Sequence, residues 1–232
     1  WVDVDPHSFN IDLADAARKV SPRTRAIMPV YLFGQSLDLD ALQAFASAHK
    51  LRVIEDAAQS MGARWKGRST MSSGDFGATS FFPSKNLGGM GDSGLVTTQD
   101  DALAERARIL RVHGMQPKYF HREVGANFRM DPLQAALLHI KLPHLPEYNC
   151  ARAGNANFYH SSLKGRVGIA ENRPGADKAA KILLPVDFSG QGIWNQFTLR
   201  VTGGRRDTLK AFLTARKIGC EIYYLIPLHR QQ

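Results

Sequence analysis

The stretch Thr79-Ser80-Phe81-Phe82-Pro83-Ser84-Lys85-Asn86-Leu87-Gly88 decides how this chain is read, together with Val53-Ile54-Glu55-Asp56-Ala57-Ala58-Gln59 upstream. Each is an apolar run that ends in polar residues. A buried parallel strand delivers side chains to a site at its C-terminal edge in this way. The upstream run delivers a carboxylate, Asp56, and the downstream run an amine, Lys85, in a setting of small residues. Taken singly, a lysine is a solvated surface charge and an aspartate after a strand is a turn former or helix cap. Taken together, an amine able to reach a carbonyl and an acid able to hold a ring nitrogen are what pyridoxal phosphate chemistry requires.

Outward from these two runs the pattern alternates. Residues 12–19 have helical spacing, 25–32 reads as a buried strand, and Asp38-Leu39-Asp40 opens a helix. Asp38 or Asp40 caps that helix, and Leu42, Phe45 and Ala46 form its apolar stripe. Strands are expected at 51–54, 78–82 and 94–98, and Trp1 to Asp5 also reads as a strand. Strand–helix alternation of this kind argues for an α/β fold, a mostly parallel sheet flanked by helices. Ligands of such sheets gather at the strand C-termini, where Asp56 and Lys85 both fall.

The spacing predicts an amphipathic helix over 100–112, with Leu103, Ala107 and Leu110 on one face. A second is expected over 131–142, capped by Asp131, with Pro132 in its first turn and Leu133, Ala136, Leu137 and Ile140 facing inward. Pro143 and Pro146 interrupt or kink the path, and the pattern changes near Asn149. A helix to about Leu163 follows, then strands at 181–184 and 195–201, a helix at 206–215 and a strand at 221–224. We therefore expect a large domain over 1–148 and a small α/β domain with antiparallel strands over 149–232. Turns fall at Arg173-Pro174-Gly175 and Gly190-Gln191-Gly192.

At this point the ordered motifs resemble the DegT/DnrJ/EryC1/StrS sugar aminotransferases, of pyridoxal phosphate fold-type I. The likeness runs through residues 30–35, 54–60, 74–77, 80–88, 91–98, 111–114, 127–131, 133–136 and 222–229. It implies the fold-type I large domain followed by a small C-terminal domain. It implies Lys85 as the Schiff-base lysine and Asp56 as the partner of the pyridine nitrogen. Gln59 resembles the residue beside the ring and its phenolic oxygen, and Ser80 a hydroxyl donor to the cofactor phosphate. Asn127 resembles the residue that reaches the phosphate of a neighbouring subunit, which implies a homodimer with a shared site. Arg129 is a candidate at the same subunit interface, with a surface ion pair as its competing reading. Tyr223, Tyr224 and His229 are candidate substrate contacts, with packing as the alternative.

The family more often has Pro where Leu225 stands, and often His where Tyr31 stands. These departures bear on substrate detail. One branch of the family has His in place of the Schiff-base lysine and dehydrates sugars, and Lys85 argues against it. The resemblance also implies that the chain is truncated at both ends, since Trp1 falls at an internal position of the family pattern.

The implied reaction moves an amino group from an amino acid, glutamate, to a nucleotide-linked keto-sugar of polysaccharide or natural-product synthesis. The rival readings are a fold-type I enzyme of another reaction type, and a catalytically silent fragment or binding module. Lys85 must be neutral to act as a base, so a depressed pKa is expected, from desolvation or nearby positive charge.

Composition is consistent with this reading. The chain has 232 residues, 44 % hydrophobic, which is enough for a sizeable core. No run of about 18 apolar residues is present, so no membrane helix is expected. The formal charge is +9, but Lys and Arg are scattered, without a zinc or helix-turn-helix pattern, and nucleic acid is not an expected partner. Part of the positive charge suits anionic cofactor and sugar nucleotide. Cys150 and Cys220 match no metal spacing and read as reduced thiols of a cytoplasmic protein.

Overall fold

The computed structural model describes residues 1–232. Its main sheet has four strands, β1 (Ala26–Ile27), β2 (Arg52–Asp56), β5 (Phe76–Ser80) and β6 (Gly94–Thr97), in the order β1-β2-β5-β6. Two short strands, β3 (Arg64–Trp65) and β4 (Arg68–Ser69), make a hairpin between β2 and β5. Its turn is Lys66-Gly67, both at positive φ, the geometry that matches strand twist in a two-residue hairpin. The first three sheet strands are parallel, and β6 returns antiparallel to β5. A second sheet joins β7 (Ile169–Glu171), β8 (Ile182–Leu184) and β9 (Arg200–Val201).

Helix α1 (Leu13–Lys19) is capped by Asp12, and α2 (Leu39–His49) by Asp38, whose carboxylate accepts from the Asp40 and Ala41 amides. Packing of α2 on β1 and β2 builds the principal core of Ile27, Tyr31, Leu37, Leu39, Leu42, Ala46, Leu51, Val53 and Ala57. Each fully buried leucine in this set contributes roughly 2 kcal/mol by leaving water. Helices α3 (Asp101–Leu110), α4 (Pro132–Lys141), α5 (Leu145–Leu163) and α6 (Arg206–Ala215) follow. Phe81, Leu87, Leu138 and Leu145 form a second core, where α4 and α5 meet the segment after β5. No helix is long and apolar enough to cross a membrane.

Several expectations are corrected. Trp1 to Asp5 is not a strand: it makes a single bridge, Val4 to Ile11, because the Asp5 carboxylate turns the chain by accepting from the His7 and Ser8 amides. The 25–32 segment pairs regularly only at Ala26–Ile27, since Pro29 has no N–H for the ladder, and Met28 is 57 % exposed. The strand expected at 78–82 lies two residues earlier. On α4 the inward side chain is Leu138, while Leu133 and Ile140 are 82 % and 69 % exposed.

The segment expected as a strand over 195–201 is a strand only at Arg200–Val201. Its first part is drawn aside to the 33–34 turn, with the Gln196 amide donating to the Phe33 carbonyl. Glu221 to Tyr224 makes no backbone ladder and is tied to α6 by the Lys210–Glu221 ion pair. The second sheet is mixed rather than antiparallel, since β7 runs parallel to β8.

A pH test of the N-terminal turn follows from Asp15. Its carboxylate accepts from the Asp3 amide at 2.7 Å and pairs with Lys19 at 2.6 Å and Arg18 at 2.9 Å. The Asp3 amide, then these cations, hold its pKa down to about 2. A depressed carboxylate stabilises the fold above its unfolded pKa of about 4 and loses that contribution as pH falls through the folded value. Asp15→Asn is therefore expected to lower Tm at neutral pH, and the difference from the parent shrinks as pH falls toward and through about 2. An equal Tm difference at both pH values would show that the charge is not the source.

Candidate active site

Strands β2 and β5 are neighbours in parallel register, with Asp56 opposite Ala78, so their C-terminal ends open on the same edge. Asp56 is the last residue of β2 and lies half-buried there. Its carboxylate accepts from the Ala58 amide at 3.0 Å, and its backbone is held by Pro29, whose carbonyl accepts from the Asp56 N–H, and by the Tyr31 N–H. Ser80 ends β5, and its Oγ accepts from the Phe82 amide at 3.1 Å, leaving the hydroxyl proton to donate elsewhere.

Pro83 then breaks the strand, and a tight loop carries Lys85, whose amide donates to the Phe82 carbonyl at 2.9 Å. The Lys85 amine is half-buried and makes no hydrogen bond or ion pair. Desolvation lowers its pKa, opposed by attraction to Asp56. The depressed value expected from sequence is thus present, and its cause is burial rather than a neighbouring cation.

The glycines around Lys85 let the loop close and pack against α4. A Cβ at Gly88 would lie 2.2 Å from the Pro83 carbonyl oxygen, so glycine lets the loop close on itself. A Cβ at Gly89 would meet the Gln134 side chain of α4 at 2.8 Å, and Gln134 Oε1 accepts from the Met90 amide at the same distance. Lys141 Nζ donates to the Gly88 carbonyl. On the other side, buried Asn86 donates to Asn149 Oδ1 of α5 at 2.6 Å and to the Ile193 carbonyl at 3.2 Å. Sequence reasoning did not assign roles to Gln134, Lys141 or Asn149. The amide-rich pairing of Asn86 with Asn149 leaves no local signal, because the partners are 63 residues apart.

The remaining candidates divide. Gln59 Oε1 accepts from the Phe33 amide at 2.7 Å, and Tyr223 stands edge-on to Phe33 with ring centres 6.5 Å apart. These residues are therefore linked to the turn after Asp56. Tyr224 packs edge-on to Tyr223, whereas His229 stacks on Trp1 at 5.3 Å. Asn127 and Arg129 are exposed and engage each other, with Arg129 Nε donating to Asn127 Oδ1 at 2.9 Å. Neither bonds to the Lys85 loop or to β2 within this chain.

A profile of the DegT/DnrJ/EryC1/StrS aminotransferase family matches residues 1–232. This chain belongs to that family. Among its relatives, a "Pleiotropic regulatory protein" of Geobacillus stearothermophilus is 42 % identical over 232 residues, all of this chain and 59 % of the relative. The dTDP-3-amino-3,4,6-trideoxy-alpha-D-glucose transaminase of Streptomyces venezuelae is 41 % identical over 231 residues, 98 % of this chain and 57 % of the relative. The crystal structure of S. venezuelae DesV in complex with a ketimine intermediate superposes with a TM-score of 0.89 at 40 % identity, covering 99 % of this chain and 58 % of that one. The chain thus spans under two thirds of the length of these family members.

The residues present fit pyridoxal phosphate by their chemistry. Pyridoxal phosphate takes an amine at its carbonyl, an acid at its ring nitrogen and hydrogen-bond donors at its phosphate. Lys85, Asp56 and Ser80 supply these at one sheet edge. Cys150 and Cys220 are free thiols, and no cluster of metal-ligating side chains is present.

Proposed function

We propose that this chain carries the catalytic lysine of a pyridoxal-phosphate-dependent aminotransferase that moves an amino group from glutamate to a nucleotide-linked keto-sugar in the cytoplasm. The observation that carries this reading is the desolvated, unpaired Lys85 amine beside Asp56 at the C-terminal edge of parallel strands. The S. venezuelae relative, named as a sugar transaminase, supports the substrate class. Residues 1–148 are assigned to the cofactor-binding domain and 149–232 to the smaller one.

Pyridoxal phosphate, when bound, supplies the carbonyl that an amine can condense with and the ring that accepts electrons. Lys85 would be the amine that anchors the cofactor and would carry the proton at the donor α-carbon. Burial favours this role because desolvation lowers the amine's pKa, toward the neutral form that a base requires. Asp56 would hold the ring nitrogen, and Ser80 would donate its hydroxyl to the phosphate. Gln59, fixed by the Phe33 amide, would flank the ring. Tyr223, Tyr224 and His229 are assigned to the sugar side.

An absorption spectrum tests the assignment. The purified protein with pyridoxal phosphate is expected to show a visible band that glutamate converts to a shorter-wavelength one, with aminated product after a keto-sugar nucleotide is added. A protein that remains colourless with the cofactor would refute it.

We also propose that two copies complete the site. Val124, Phe128, Leu133 and Ile140, near Asn127 in sequence, are exposed apolar side chains of the kind a second copy would bury. Ile140→Glu is expected to convert a dimer to monomer in sedimentation velocity. Mixing Lys85→Ala with Asn127→Ala protein should raise activity above either parent, because one hybrid site regains both residues. A mixture no more active than its parents would place Asn127 outside the partner's site.

A further inference from the structure

Glu55 precedes Asp56 on β2 and points to the opposite face of the strand. It is 0 % exposed and has no cation partner. Its carboxylate instead accepts four hydrogen bonds. Tyr31 Oη donates at 2.5 Å and the Met71 amide at 3.0 Å, while the Ser73 and Gly74 amides donate at 2.7 and 2.6 Å. An ionised carboxylate offers about four acceptor sites, so this one is saturated. A buried charge is tolerated only when its hydrogen bonds are complete.

Tyr31 is also 0 % exposed, and it holds two successive residues of β2 at once. Its hydroxyl binds the Glu55 carboxylate, while its backbone N–H donates to the Asp56 carbonyl at 2.9 Å. The 71–74 segment is fixed in turn by Gln43 of α2, which donates to the Ser73 carbonyl, and by Thr97 Oγ1, which donates to the Met71 carbonyl at 2.9 Å. A Cβ at Gly74 would meet the Val53 carbonyl oxygen at 2.7 Å, so this segment lies directly against β2.

We infer that Tyr31 and Glu55 are positioning residues: their buried pair locks the last turn of β2 and so aims the Asp56 carboxylate toward Lys85. Because neighbouring side chains on a strand point to opposite faces, any rotation of the strand end that frees Glu55 swings Asp56 with it. Burial and the Glu55 charge both push the Tyr31 phenol up, so its hydroxyl remains a donor through the working pH range. The inference rests on the proposed role of Asp56, but its test does not require the cofactor.

The test is the pH dependence of Lys85 labelling by an amine reagent, read by mass spectrometry in the cofactor-free protein. Attraction to Asp56 raises the Lys85 pKa against desolvation. Asp56→Asn is therefore expected to move the Lys85 titration to lower pH. Tyr31→Phe is expected to move it in the same direction by at least half as much. Tyr31→His, which restores a ring N–H donor, is expected to bring it back toward the parent. If Tyr31→Phe does not fold, Glu55→Gln carries the same expectation, since its amide faces backbone donors. A folded Tyr31→Phe or Glu55→Gln protein with an unchanged Lys85 titration overturns the inference, as does an unchanged titration in Asp56→Asn. Failure of the parent to bind pyridoxal phosphate would sink the proposed function and leave this result standing.

Discussion

Under the proposed function, Lys85→Ala is expected to abolish the visible cofactor band and to lower transamination by about 10⁴-fold, the range of a group that acts as both nucleophile and proton carrier. The fold survives the change. The Lys85 side chain makes no hydrogen bond or ion pair, and removing a desolvated amine costs little. Stability should therefore stay within about 1 kcal/mol of the parent. Far-UV circular dichroism and a denaturant titration check that half of the prediction. Loss of the band with the fold intact separates a catalytic lysine from a structural one. A Lys85→Ala protein that transaminates normally would remove the assignment altogether.

Asn149→Leu is expected to destabilise the protein by about 1–3 kcal/mol, because the buried Asn86 amide and the part-buried Met61 carbonyl lose a bond together. Asn149 Oδ1 accepts from Asn86, the residue beside Lys85, and Asn149 Nδ2 donates to the Met61 carbonyl at 3.3 Å. Leucine satisfies neither, and Asn86 Oδ1 already lacks a partner, so the Lys85 loop loses its tie to α5. The site should loosen as well as the fold. Hydrogen exchange is expected to accelerate at the Gly89 amide, which donates to the Phe81 carbonyl at 2.7 Å. Global unfolding in denaturant measures the first effect and exchange at the loop the second. Unchanged stability would show that Asn149 is not the clamp.

The legible parts of the chain were those with a local cause. Asp131, and Asp38 of the two candidates Asp38 and Asp40, cap their helices as expected, and each accepts from first-turn amides. A capping carboxylate acts within three residues, so sequence alone reveals it. The placement of Asp56 and Lys85 at one edge was legible for a related reason. Parallel strands put their C-termini on the same side, and both residues fall at the end of an apolar run.

The face of α4 was misread because periodicity marks an apolar stripe without saying what covers it. Leu133 and Ile140 stand in solvent, while Leu138 meets Phe81 and Leu145. The missing strand at 221–224 has a similar cause. β-propensity describes a residue's fit to a ladder, and here no neighbouring strand is present to pair with it.

The sequence by itself determined the family, the alternation of strand and helix, and the pairing of an acid with an amine at the sheet edge. These follow from local patterning and from ordered motifs, which are properties of the chain read in one dimension. Tertiary structure alone decided why Lys85 is poised and what holds it. The amine is desolvated by burial, Asn86 is held by Asn149 and Ile193, and Glu55 is saturated by Tyr31 and the 71–74 amides. Burial and hydrogen-bond saturation depend on which distant groups arrive at one place, and only the folded chain brings them there.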